Sequence, residues 1–156
     1  MKRILFILLL TIPFVGFGQG WEKTFGGTSY DQCLSVQQTT DGGYIVTGYT
    51  LSFGNNVYLI KTDGNGDSLW TRTFGGTGDD WGESVQQTTD GVYIITGSTW
   101  YFLNGIKDFY LIKTDENGEQ QWSQTFGESF NDRAMFVQQT TDGGYIITGC
   151  NKVEKY

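Results

Sequence analysis

The chain of 156 residues contains no histidine, two cysteines and one proline, and this scarcity removes several kinds of chemistry. Without an imidazole there is no Ser-His-Asp or Cys-His engine and no histidine ligand for zinc, and two cysteines alone do not complete a thiolate site. Positive charge is short as well. Ten Lys and Arg stand against 17 Asp and Glu, a formal charge of −7 at pH 7 with a pI near 4.4. Nucleic-acid binders present a basic face, so no nucleic-acid partner is expected. Composition leaves open carboxylate chemistry or none, and no motif names an activity. The chain is rich instead in glycine, with 23 residues, and in aromatics, with five Trp, nine Tyr and eleven Phe.

Residues 1–18 place Lys2 and Arg3 ahead of an apolar run that ends in Gly16 and Gly18, at −3 and −1 to a cut before Gln19. This is the pattern of a cleaved secretory signal peptide. A membrane anchor needs roughly 20 apolar residues, and Thr11, Pro13 and Gly16 interrupt the run, so no membrane span is expected after cleavage. The expected destination is secreted, periplasmic or cell-surface. Removing 1–18 takes away Lys2, Arg3 and the single proline, Pro13, leaving 8 bases against 17 acids and a charge of −9. Turns in 19–156 must then be made with Gly, Asn and Asp. An oxidising compartment permits a disulfide. The repeat described next sets Cys33 opposite Gly82 and Ala134, and Cys150 opposite Tyr49 and Ser98, so two unpaired thiols are expected.

Trp21, Trp70 and Trp122 recur 49 and 52 residues apart, and the same intervals separate Phe25, Phe74 and Phe126 and then Val36, Val85 and Val137. Val-Gln-Gln-Thr-Thr-Asp-Gly is identical at 36–42, 85–91 and 137–143. The chain is one unit written almost three times, with units at 21–69, 70–121 and 122–156. Four β-rich runs per unit alternate with turn signals, which predicts antiparallel strands at Leu34–Thr39, Tyr44–Thr50, Val57–Thr62 and Leu69–Phe74, called A to D. Thr-Asp-Gly closes the A–B hairpin. Asn65-Gly66 and Asn117-Gly118 are expected to close C–D as two-residue turns. Strands B and C do not alternate between apolar and polar, which predicts sheets covered on both faces.

A four-stranded antiparallel sheet of about 50 residues in tandem reads as a β-propeller blade, with a β-solenoid or sandwich array as the alternative. The fold class expected is therefore all-β, a partial propeller. The chain offers a leading D strand at Trp21–Phe25, two full A–B–C–D sets, and a final D–A–B without a C strand. Propellers close with 4 to 8 blades, so the sequence reads as a fragment of a longer protein, and open sheet edges invite self-association.

The run Tyr-Leu-Ile-Lys-Thr-Asp-x-Asn-Gly, then Trp-x-x-Thr-Phe-Gly, then Val-Gln-Gln-Thr-x-Asp-Gly-x-Tyr-Ile-x-Thr-Gly resembles the repeats of secreted propeller-like proteins of Bacteroidota over nearly all of 21–150. That resemblance implies export, often by type IX secretion with a sorting domain, a propeller domain, and usually no assigned catalysis. A weaker similarity is to the tryptophan-docking motif of quinoprotein propellers. It rests on Asp63, Gly66 and Trp70 and on Asp115, Gly118 and Trp122. It implies a structural role for each Trp between blades, with Trp21 as the leading copy, and for each Asp in bracing a turn.

Asp31/Asp80/Asp132, Asp41/Asp90/Asp142 and Asp63/Asp115 recur once per unit in equivalent places. A catalytic carboxylate pair needs unlike environments, so these acids are expected to bond turn backbones instead. Asp63-Gly64-Asn65-Gly66-Asp67 begins like a calcium loop but lacks the distal bidentate glutamate. Neither a metal nor a cofactor is expected. What is not repeated is the place for a local function. Trp100, Tyr101 and Phe102 lie in the B–C connection of the second unit, lengthened by three residues, and Trp81 stands beside Asp80. Aromatics on a loop anchor proteins or stack on sugars. The expected function is an exported, non-enzymatic interaction scaffold for an unknown protein or glycan. The alternatives are a glycan-binding module built on the Trp100 loop and a quinoprotein-like oxidoreductase.

Overall fold

The computed structural model describes residues 20–101, 105–127 and 131–151. Residues 1–18, expected from their sequence to be a signal peptide, and Phe102 lie outside these described residues. Ten strands form three antiparallel sheets, and none of the described residues is helical. The first sheet is β1 (Asp31–Gln38), β2 (Tyr44–Thr50), β3 (Asn56–Thr62) and β4 (Ser68–Phe74), in that order. The second repeats it as β5 (Asp79–Gln87), β6 (Tyr93–Tyr101), β7 (Ile106–Thr114) and β8 (Gln120–Phe126). The third holds β9 (Asp132–Gln139) and β10 (Tyr145–Asn151). These are tandem, propeller-like blades that do not close into a barrel. No helix among the described residues is long and apolar enough to cross a membrane.

Two features depart from the sequence expectation, one in the hairpins. Asn65 does not take a positive φ, so Asn65-Gly66 is not a two-residue turn of the primed type. The amide of Gly66 donates to the carbonyl of Asp63, and that of Asp63 donates to the carbonyl of Asp67 at 2.9 Å. A type I turn is thus followed by Gly66 in the left-handed region at φ +80°, the three-residue hairpin loop. The A–B hairpin uses the same device, with Gly42 at φ +83°. The second departure is at the leader. Trp21–Phe25 is not a strand, because no C strand among the described residues offers it a ladder to join.

The core lies between the sheets. Ile45, Val57, Leu59 and Phe74 of the first sheet meet Val85, Tyr93, Ile95 and Ile112 of the second, with Trp70 and Tyr110 packed alongside. On its other face the second sheet presents Ile94 and Leu111 to Val137, with Trp122, Tyr145 and Ile147 closing that smaller cluster. Ile94 and Ile95 are neighbours in one strand and both are fully buried. That two-sided burial is why strands B and C carry continuous rather than alternating apolar runs.

The invariant Val-Gln-Gln-Thr run acts across the same junctions. The first glutamine accepts from the next blade, with the Gln87 amide 2.6 Å from Gln37 Oε1 and the Gln139 amide 2.7 Å from Gln86 Oε1. The second glutamine reaches back. Gln87 Oε1 accepts from the Thr40 amide and Gln139 Oε1 from the Thr89 amide, each at 2.9 Å. Each junction is therefore held by a reciprocal pair of side-chain to backbone bonds, and these satisfy amides that no ladder reaches.

Candidate binding surface at the rim of the second blade

Of the two readings the sequence allows for the inserted run, a recognition loop or a continuation of strand B, the structure shows the second for Trp100 and Tyr101. The insertion lengthens the hairpin, since β6 and β7 have nine residues each where β2 and β3 have seven. Trp100 and Tyr101 are therefore strand residues, because continued pairing satisfies backbone groups that a loop would leave to water. Trp100 stands opposite Asp79 of β5 and Lys107 of β7, and Tyr101 stands opposite Ile106. Trp100 is half-buried.

Trp81 is also half-buried and belongs to an aromatic row that crosses from the first blade to the second. Tyr30 lies 5.8 Å from Tyr49, and Tyr49 meets Trp81 edge-on at 6.3 Å, within the range for aromatic pairs. The Lys107 ammonium sits 4.1 Å above the Trp81 ring, a cation–π contact. Beside the row, Tyr49, Leu51, Asn55, Asp79, Asp80 and Trp81 line a cleft of about 180 Å³. Asn55 donates to Asp79 across it at 2.5 Å. The rim thus combines flat apolar rings, one cation and a carboxylate pair within a concave surface.

Asp80 lines this cleft, and its surroundings differ from those of Asp31, its counterpart at the start of β1. Asp31 accepts from the Thr50 hydroxyl, the Ser52 hydroxyl at 2.7 Å and the Gly27 amide at 2.9 Å. Thr50 first, then Ser52 and Gly27, hold its pKa down to about 2. In the sequence of the second unit Tyr101 aligns with Ser52, so no serine hydroxyl is at hand there. Asp80 keeps the Gly76 amide at 2.9 Å and the Thr99 hydroxyl, but its Oδ1 is buried without a partner. Burial, and then the charge of Asp79, push its pKa up.

The two aspartates should therefore respond to acid in opposite ways. A depressed carboxyl stabilises the fold above its unfolded pKa of about 3.9, and that contribution is lost as pH falls through the folded value. A raised carboxyl costs stability when ionised and is relieved by acid. Asp31→Asn is expected to lower the unfolding temperature at pH 7, with the difference from wild type closing between about pH 4 and about pH 2. Asp80→Asn is expected to be neutral or stabilising at pH 7. Its amide would place donors near the buried, unpartnered Asn56 Oδ1, which crowds the same side of Gly75. Thermal unfolding followed by circular dichroism across that pH range reads both.

The remaining acids are taken up by turns. Asp63 Oδ1 accepts from the amides of Asn65 and Asp67, both at 2.9 Å, and Asp115 repeats this with Asn117 and Glu119 at 2.8 Å. Asp41 accepts from Thr39 and Gly43 and pairs with Lys61 at 2.9 Å. Lys61 first, then Thr39, lower its pKa to about 2. Among the described residues no three His, Cys, Asp or Glu side chains gather in a way that would hold a metal ion. Cys33 and Cys150 are free and exposed.

The repeated tryptophans are junction residues. Trp21, Trp70 and Trp122 meet Tyr44, Tyr93 and Tyr145 at 5.7, 5.9 and 6.2 Å. Trp21 lies over Gly66 and Trp70 over Gly118, where a Cβ would come within 2.7 Å of the ring. Lys23 pairs with Asp67 at 2.6 Å where, one unit later, Arg72 pairs with Glu119 at 2.8 Å. The leader therefore occupies the position of a preceding D strand without being one.

No protein-family model matches the chain, and no curated protein matches it.

Sequence reasoning singled out Trp100, Tyr101, Phe102 and Trp81. The structure places Trp81 in the aromatic row and Trp100 in the strand pair beside it, and it adds Tyr30, Tyr49 and Lys107, which the sequence reading missed. Tyr30 and Tyr49 have no counterpart aromatics in the other units, so their signal was departure from the repeat, the same test that found Trp100. The glutamine pair was also missed, although its signal was the strongest in the chain, an identical heptapeptide three times over.

Proposed function

We propose that the chain is an exported, non-enzymatic repeat scaffold that binds a protein or glycan at the rim of the second blade. The observation that carries this reading is the row Tyr30, Tyr49, Trp81 and Lys107 beside the cleft, built from residues that the repeat does not require. Aromatic rings with a neighbouring cation suit the apolar face and hydroxyls of a sugar, or an aromatic and acidic protein surface. Export is supported by residues 1–18, and membership among the secreted propeller-like repeat proteins of Bacteroidota by the quoted motifs. The turn and junction contacts of Asp63, Asp115, Trp70 and Trp122 support a packing role for the residues that carry the similarity to quinoproteins. No observation favours the oxidoreductase alternative.

A glycan array probed with the exported chain tests the sugar arm. Signal on defined glycans is expected, and Trp81→Ala should reduce it at least about tenfold, the effect of losing a central aromatic contact. An array blank for wild type leaves only a protein partner, to be sought by cross-linking at the exported surface. A measurable turnover abolished by changing single repeated aspartates would refute the non-enzymatic reading.

A further inference from the structure

Asp31 and Asp80 hold the same place in two successive units, and the first shows what the second lacks. The carboxylate of Asp31 takes the hydroxyls of Thr50 and Ser52 and the Gly27 amide. Asp80 takes the Thr99 hydroxyl and the Gly76 amide, which match Thr50 and Gly27. Nothing among the described residues stands in for Ser52. Asp80 is only 1% exposed, and its Oδ1 is buried without a hydrogen-bond partner. A buried carboxyl oxygen short of a donor is costly, and the donor missing here is a hydroxyl.

The surface beside this carboxyl is open where its counterpart is filled. A Cβ on Gly27 would lie 2.8 Å from the Ser52 side chain, whereas one on Gly76, the equivalent glycine, meets nothing within 4 Å. The space forms a cleft of about 340 Å³ between the connection 75–78 and the second sheet, lined by Thr99 of β6, Tyr110 of β7 and Ser123, Gln124 and Thr125 of β8. Asp80 and Thr99 are buried at its floor, while Gly76, Thr77, Gln124 and Thr125 are exposed at its mouth. All of these residues belong to the second unit or to the connection that leads into it.

The lining selects a chemistry. It offers hydroxyls, one side-chain amide, one aromatic ring and one carboxyl, and none of the described residues that line it is cationic. Hydroxyls donate and accept, so they pair with ligand hydroxyls in either direction. Burial pushes the Asp80 carboxyl towards its protonated form. A ligand hydroxyl serves both forms, donating to the carboxylate or accepting from the acid, whereas an ammonium serves only the first. The volume is at the small end of the range of ligand sites, roughly 300 to 1,000 Å³, and suits a single ring.

We propose that this cleft binds one uncharged sugar ring, with a ring hydroxyl at Asp80 in the role that Ser52 plays at Asp31. The site is distinct from the aromatic row. Asp80 is the one residue that lines both this cleft and the cleft at the rim, and neither Trp81 nor Lys107 lines this one.

Nuclear magnetic resonance of the isotope-labelled full chain, titrated separately with glucose, galactose, mannose and N-acetylglucosamine to well above millimolar concentration, tests the proposal. At least one of these sugars is expected to shift the amides of Gly76, Thr77 and Thr99 saturably. Glucuronate should bind at least about tenfold more weakly than the best of them, because it brings a second carboxylate to an acidic floor. One monodeoxy analogue of the sugar that binds should fail to bind measurably, since Asp80 is then left without its donor. Asp80→Asn, with its spectrum showing the fold intact, should weaken binding at least about fivefold. No shift at the cleft with any of these sugars, equal binding of glucuronate, or equal binding by Asp80→Asn overturns the proposal. Binding of glucosamine without any neutral sugar would make Asp80 an ammonium site and overturns it too. Shifts confined to Tyr49 and the Trp81 indole would put the sugar on the aromatic row, which supports the reading of the rim and overturns that of the cleft.

Discussion

Gly97→Ala should destabilise the protein by more than about 3 kcal/mol, while Gly76→Ala in the connection between β4 and β5 should be neutral or slightly stabilising. Strand A of every unit carries one unpaired extra residue: Leu34 in β1, Glu83 in β5 and Met135 in β9. The bulge pushes the carbonyl of the preceding segment towards strand B, and a glycine stands opposite it each time. A Cβ on Gly97 would lie 1.7 Å from the carbonyl oxygen of Trp81, and one on Gly48 would lie 1.8 Å from that of Gln32. Both obstacles are backbone, so relief requires the bulge to open, which would also displace Trp81 from Tyr49. Gly76 meets nothing within 4 Å and has an ordinary φ, so there the methyl group only restricts the unfolded chain. Urea unfolding monitored by tryptophan fluorescence separates the two variants. Equal midpoints would show that the bulge is not fixed in the folded protein.

The second large effect is a contrast between identical side chains. Ile94→Ala should cost about 2–5 kcal/mol, and Ile146→Ala less than about 0.5 kcal/mol. Both isoleucines follow the tyrosine at the start of strand B, and their local sequences, Tyr-Ile-Ile-Thr-Gly, are the same. Ile94 is fully buried against Leu111 and Val137, where truncation leaves a cavity with little room to collapse. Ile146 is 55% exposed and loses few contacts on truncation. The same denaturation experiment reads both variants.

Much of the fold was legible because a repeat supplies three readings of each position. Strand B was placed at Tyr44–Thr50, as found, and strands C and D began one residue late. Strand A began three residues late. Asp31 and Gln32 look like turn residues, and their pairing with Thr50 and Tyr49 depends on a bulge that no local pattern announces. The two-sided apolar runs of strands B and C told correctly of burial on both faces of the second sheet. The C–D turns were misread for a physical reason. Asn-Gly favours the two-residue primed turn in isolation, but Asp63 binds the amides of Asn65 and Asp67 and selects the type I turn with glycine last. The rim was half legible. Departure from the repeat found Trp81 and Trp100, whereas the partners of Trp81 come from residues about 30 positions away in either direction, and periodicity has no purchase on contacts of that kind. The glutamine bonds escaped for the same cause, since each joins residues close to 50 positions apart.

Those glutamine bonds also bear on how such a chain changes length. Every junction uses the same donors and acceptors in the same register, and the leader meets the first sheet as β4 meets the second. Duplicating or deleting one whole period therefore joins surfaces that already fit each other, and no new interface has to evolve. Gain or loss of a fraction of a period would set Gln37 against the wrong amide and Trp70 against the wrong turn. Blade number in proteins built on this unit is thus free to drift by recombination in whole steps, while the unit itself stays under tight constraint.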